Sequence, residues 1–229
     1  MNGTRWGRSA LLGVPSLLVV FLLSLGLRTG LLASSVVIQS GTADLATSGL
    51  YGIDFGLSVV DATQKVKQAD GTVVLKNIRL VRAGFAEGKL NELCIAVHQK
   101  IAGLDFTLKL TGGDGNMATW EVDARNVELD GQLVAGTLTL DGVVKFGITG
   151  EDVTTIKNPD GTYVDNPLDA TPSQHRFGAD ATFAEFTKVT GKVYAMEIVG
   201  PFTLPGLKVK LESGNTTCPA PPAPTGPPS

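Results

Sequence analysis

The sequence predicts a mainly β domain, an antiparallel strand meander with one packed helix forming a curved sheet or sandwich, preceded by an N-terminal transmembrane helix. Three observations predict it: an uncharged run of eighteen residues near the N-terminus, period-two alternation of apolar side chains in several later segments, and Asp-Gly pairs that punctuate them. A chain of 229 residues has room for one well-cored domain plus flanking segments.

The run is Ala10 to Leu27, ALLGVPSLLVVFLLSLGL, with Arg5 and Arg8 before it and Arg28 after it. At about 1.5 Å per residue a helix of this length spans roughly 27 Å, close to the hydrocarbon thickness of a bilayer. A signal-peptidase cut after Ala33 would place Leu31 at the third-last position, and a cut after Gly30 would place Arg28 there; both are poor sites. No cysteine follows the run to take a lipid. An uncleaved anchor over residues 10–33 is therefore expected, with a removed signal peptide as the alternative. Arg5 and Arg8 hold residues 1–9 in the cytoplasm, which leaves a domain over 34–218 outside, and Arg28 snorkels to the far headgroups. The lipid bilayer is thus one expected partner and a single-pass cell-membrane location the expected address.

The outer domain reads as strands. Tyr51, Ile53, Phe55, Leu57 and Val59 alternate with Gly52, Asp54, Gly56 and Ser58, which predicts one apolar sheet face. The same period recurs at Leu104 to Leu110, at Val144 to Ile148 and at Leu207 to Leu211. Trp120, Val122 and Ala124 share a parity that Val127 and Leu129 do not, so a bulge is predicted near Arg125 and Asn126. Asp70-Gly71, Asp114-Gly115, Asp130-Gly131, Asp141-Gly142 and Asp160-Gly161 suit tight turns, and the third and fourth bracket the strand-like LVAGTLTL. None of them has the spacing of a calcium loop. In AEGKLNELCIAVHQKIAG, Leu90, Leu93, Cys94, Val97 and Ile101 recur at three- and four-residue steps, which predicts the packed helix, ended by Gly103. Residues 158–174, with three prolines, read as a surface loop, and the proline-rich tail over 219–229 as a spacer or frayed end.

Chemistry is scarce. A formal net charge of -3, a pI near 5.4 and no basic run argue against nucleic acid as a partner. Two cysteines and two histidines are too few for a zinc cluster, so no metal and no cofactor are expected. Outside the membrane an even pair favours a bridge between Cys94 and Cys218, against the alternative of two free thiols. There is no G-x-S-x-G nucleophile elbow, no phosphate loop and no dinucleotide fingerprint. His98 reads as a structural histidine flanking the helix stripe, and His175 sits beside Arg176 with no nameable partner. No catalytic residue is assigned, and a non-enzymatic role is expected.

The Arg5-Trp6 start, the Ala33-Ser34 exit into a strand, LNELC ending at Cys94, GLDFTLKLTGG, WEVDARNVELDG and the final Cys218 occur in this order. With them the chain resembles an actinobacterial family catalogued as domain of unknown function 6230, over nearly all of Arg5 to Cys218. It differs from the family pattern at Ile95, where glutamine commonly follows the cysteine, and in its prolonged proline tail. The resemblance implies an exported or membrane-attached protein with no established activity, at times labelled cholesterol esterase, and a small multi-pass membrane protein as a partner. Two roles follow as expectations: a surface domain for display or binding, or a carrier of an apolar ligand in the cell envelope, with esterase activity a lesser alternative.

Overall fold

Alternating apolar residues build strands throughout, and two long antiparallel hairpins carry most of them. The computed structural model describes residues 34–37, 42–68, 71–101, 103–155, 160–162, 176–198 and 200–228. They belong to one compact unit, Ser34–Ser229. In chain order the elements are β1 (Ser34–Val37), β2 (Ala43–Lys67), β3 (Val73–Asn91), β4 (Leu93–Ile101), β5 (Leu104–Gly112) and β6 (Val122–Thr149). A 3-10 turn at Gly150–Asp152 follows, then β7 (Phe177–Ile198), β8 (Phe202–Thr203) and β9 (Lys208–Ser213).

β2 pairs with β3 from Gly49↔Asn91 to Lys67↔Val73. The same register runs on into β4, where Ala46 faces Cys94 and Ala43 faces Val97. β6 and β7 form the second hairpin, from Val127↔Ile198 to Thr149↔Phe177. The hairpins join along both edges, β2 to β7 from Ala43↔Val193 to Ser58↔Gly178 and β3 to β6 from Leu90↔Val122 to Val81↔Gly131. The path β2-β3-β6-β7 returns to β2 and closes a barrel. Closure is complete only at one end. Beyond Val81↔Gly131 the strands β3 and β6 stay with their other partners and no longer pair with each other, so the barrel splits along a seam. β5 pairs on β4 and β9 on β5, a three-stranded flap hanging from the start of β2.

The closed end holds the larger buried cluster, including Leu45, Leu50, Phe85, Leu90, Leu93, Val122 and Val127. A smaller one, Phe55, Ala181 and Ala184, lies toward the split end. Each fully buried Leu, Val or Phe contributes about 1.5–3 kcal/mol, so the closed end anchors the fold.

Residues with left-handed backbone decide which face each strand presents. Asp54 (φ 54°), Glu92 (φ 54°) and Asn126 (φ 49°) each interrupt the alternation. At Asn126 the expected reversal occurs: Val122, Ala124 and Val127 all enter one core cluster. At Asp54 the expected single apolar face is divided. Phe55 and Leu57 face inward, whereas Tyr51 turns outward and stacks on Phe183 with ring centroids 6.1 Å apart.

The expected packed helix is absent: residues 86–101 run from the end of β3 into β4, and among the described residues no α-helix occurs. Its three-residue step from Leu90 to Leu93 is a strand whose parity reverses at Glu92, so both leucines enter the core while Cys94 takes the other face. Gly103 (φ 84°) turns the β4–β5 hairpin instead of ending a helix. Two of the five Asp-Gly pairs also differ from expectation. β6 runs straight through Asp130-Gly131 and Asp141-Gly142, which mark register shifts rather than hairpin turns. The proline tail is no frayed end: Thr225 N–H donates to Met117 O at 2.7 Å and the Trp120 indole N–H to Gly226 O at 3.0 Å. No helix among the described residues is long and apolar enough to cross a membrane. The expected anchor over 10–33, Arg5, Arg8, Arg28 and His175 lie outside the described residues.

Candidate functional site

Where β3 and β6 part, the inner face of the barrel opens into a cleft of about 400 Å³. β2 contributes Phe55 and Leu57, β3 Val81 and Ala83, β6 Val134 and Leu138, and β7 adds Phe186. Phe55 meets Phe186 edge to face, with centroids 5.4 Å apart, and fixes the floor. Val134 and Leu138, 50% and 44% exposed, mark the mouth. Gln132 is the one polar side chain in the lining. Its Oε1 accepts from the Tyr194 hydroxyl at 2.8 Å. The lining therefore offers a ligand neither a charge nor a titratable group. Its size lies within the range of small-molecule sites, about 300–1,000 Å³.

The sequence placed His98 on a helix; it lies on β4, and its neighbours resemble a hydrolase relay. Its Nε2 is 3.0 Å from Asp44 Oδ2 and its Nδ1 3.0 Å from Thr107 Oγ1. The hydroxyl is already committed, donating to Gly214 O at 2.7 Å and accepting from Thr216 N–H at 3.0 Å. A hydroxyl has one proton, and with that proton on Gly214 O the Thr107 hydroxyl has none left to give His98. Thr107 is fully buried. The cluster therefore ties β2, β4, β5 and the tail together and leaves no accessible nucleophile. Beside it Cys94 and Cys218 are disulfide-bonded, with Cα atoms 5.9 Å apart.

Carboxylates gather at two further places. Oxygens of Glu92, Asp114 and Glu121 lie within 4.8 Å of one another, the one set of three acidic side chains among the described residues able to ligate a single ion. Sequence reasoning missed it, because the three converge only when the 113–121 loop folds over Glu92. The loop supplies donors of its own: Gly115 N–H to Glu92, Asp114 N–H to Glu121, and Asn116 N–H and the Thr119 hydroxyl to Asp114. On the outer face of the barrel Arg82 makes a bidentate pair with Asp130 at 2.6 and 2.8 Å, and Glu128 lies 3.8 Å from the same guanidinium. Burial pushes Glu128 up to about 7; Arg82 opposes this, while Asp130 and Glu197 add to it. Hydrogen bonding to Asp130 raises Arg82. None of these groups reaches the cleft.

A profile of a family of unknown function, DUF6230, matches residues 39–219. No curated protein and no solved structure matches the chain.

Proposed function

From the premise that the chain belongs to the DUF6230 family of unknown function, we propose that its domain is a non-enzymatic binder of an acyl-chain lipid in the cell envelope, with the cleft as its site. The observation that carries this is the lining: sixteen residues of which only Gln132 has a polar side chain. Apolar surface left facing water costs roughly 25 cal/mol per Å², a cost that an acyl chain seated in the cleft removes. Of the two expected roles, the geometry favours carriage over display, because a display domain needs no split in its barrel. The non-enzymatic part rests on Thr107, whose buried hydroxyl is already bonded on both sides.

Native mass spectrometry of residues 34–229, purified without detergent, is expected to show co-purifying lipid. A fluorescent sixteen-carbon fatty acid should bind, and Leu138→Glu, which puts a carboxylate at the mouth, should weaken it at least tenfold at unchanged melting temperature. A clean apo mass together with no probe binding would leave display as the better account.

A further inference from the structure

Residues 219–228, PAPPAPTGPP, lie along a seat built by β2 and the 113–121 loop, and the seat holds them as a binding site holds a ligand. Pro221 and Pro224 are half-buried, whereas Ala220, Pro222 and Ala223 are exposed. Burial at every third residue is the period of a polyproline II helix. Such a helix makes no hydrogen bonds of its own, so a receiving surface reads its free carbonyls and amides. Here the surface supplies both partners. The Trp120 indole N–H donates to Gly226 O at 3.0 Å, and Met117 O accepts from Thr225 N–H at 2.7 Å. Two glycines permit the close approach. A Cβ on Gly49 would run into the Trp120 ring and stand 3.1 Å from Pro224, and one on Gly226 would run into Ala118 O.

The seat does not need the tail in order to exist. The fully buried Asn91 donates through Nδ2 to the carbonyls of Asn116 and Thr119, and the Thr119 hydroxyl donates to Asp114. The loop is thus set from within the domain, and Asn91 faces Gly49 across the β2–β3 ladder. The tail, by contrast, is held lightly: among the described residues two hydrogen bonds join residues 219–228 to the domain. Its advantage is tethering, since the Cys94–Cys218 bridge fixes it eight residues before Gly226, and short tethers give effective concentrations of about millimolar. The groove also continues past the tail's contacts. Pro228 forms one wall of a hollow of about 630 Å³ whose other walls include Tyr51, Ile53, Arg125 and Pro201. A longer segment has contacts to gain there that the tail does not make.

We propose that the groove over Gly49, Met117 and Trp120 is a docking site for a proline-rich segment of a partner protein, with the chain's own tail as its internal competitor. The tail defines the chemistry that fits: Pro-x-x-Pro-x-Gly, followed by further prolines that extend toward Tyr51. None of the seat residues lines the cleft, so this site stands apart from what the cleft holds.

The test uses a fluorescent peptide of residues 219–228 extended by four prolines, read by anisotropy against the full-length chain. Gly226→Val keeps the tail out of the seat and leaves the seat intact. That variant should bind the peptide about tenfold or more tightly than wild type does, because the tethered competitor is gone. The same peptide with valine at its glycine should not bind, and the unextended peptide should bind more weakly. Trp120→Phe in the Gly226→Val background removes the indole donor and should weaken binding. No binding to Gly226→Val, with its near-ultraviolet circular dichroism unchanged, overturns the proposal. So does equal binding of the glycine and valine peptides, which needs no change to the protein. Concentration-dependent dimers of wild type that Gly226→Val abolishes would assign the seat to a second copy's tail and overturn it as well.

Discussion

Replacing both members of the Cys94–Cys218 bridge tests how the flap and the tail are held. The bridge spans 124 residues. Closing a loop of that size removes unfolded-state entropy worth about 5 kcal/mol on the chain-entropy argument. Cys94 is only 7% exposed, so alanine is the right replacement; serine would bury a hydroxyl at its own cost. For a domain of this size 1 kcal/mol corresponds to about 2–4 °C, so Cys94→Ala/Cys218→Ala should melt roughly 10–20 °C lower than the oxidised protein. Wild type reduced with a thiol should match the double variant. Trp120 provides a local reading. Its indole is 4% exposed and donates to Gly226 O eight residues past Cys218, so release of the tail should red-shift its emission below the melting transition. A fall in melting temperature under about 4 °C, in the double variant and in wild type whose two free thiols are confirmed by alkylation after reduction, would refute the reasoning.

Three other outcomes are expected. Glu128, raised to about 7, binds its proton more tightly in the folded state than in the unfolded one; its contribution is full below about pH 4.5 and is lost as pH rises through 7, so Glu128→Gln should gain on the order of 1–2 kcal/mol at pH 8 over wild type and little at pH 5, read from urea midpoints. Gly49→Ala places a methyl 2.4 Å from the Trp120 ring and 3.1 Å from Pro224, and should cost about 1–3 kcal/mol and expose Trp120 to acrylamide quenching. Asn126 is left-handed, so Asn126→Val should be less stable than Asn126→Gly by about 1–2 kcal/mol in the same denaturation assay.

Period-two alternation revealed the β class, and cysteine parity together with the compartment favoured the Cys94–Cys218 pair. The parity change between Ala124 and Val127 pointed to a bulge near Arg125 and Asn126, but the register with β3 holds there and the left-handed Asn126 makes the reversal instead. The same signal elsewhere was misread. At Glu92 a reversal of parity turns the strand positions Leu90 and Leu93 into a three-residue step that mimics a helix stripe, because spacing alone does not distinguish one turn of helix from a strand that skips a face. At Asp54 the apolar positions 51 to 59 keep perfect alternation while the backbone sends Tyr51 and Phe55 to opposite sides. The cleft had no local signature at all. Val81 and Leu138 come from different hairpins, and the gap between them exists only because β3 and β6 stop pairing. The burial of Thr107 was equally illegible, since it depends on residues 214–218 returning across β5.

On the proposed reading of the cleft as a lipid site, the seam sets how wide a ligand the cleft can take. Rungs of hydrogen bonds hold the closed half at a fixed circumference, but past Val81 and Gly131 none link β3 to β6. Past the seam the two hairpins are joined only by the β2–β7 ladder, which runs on to Ser58↔Gly178, so widening at that end breaks no β3–β6 rung. On that reading a branched hydrocarbon and a slender one would fit the same cleft while the paired half keeps its circumference.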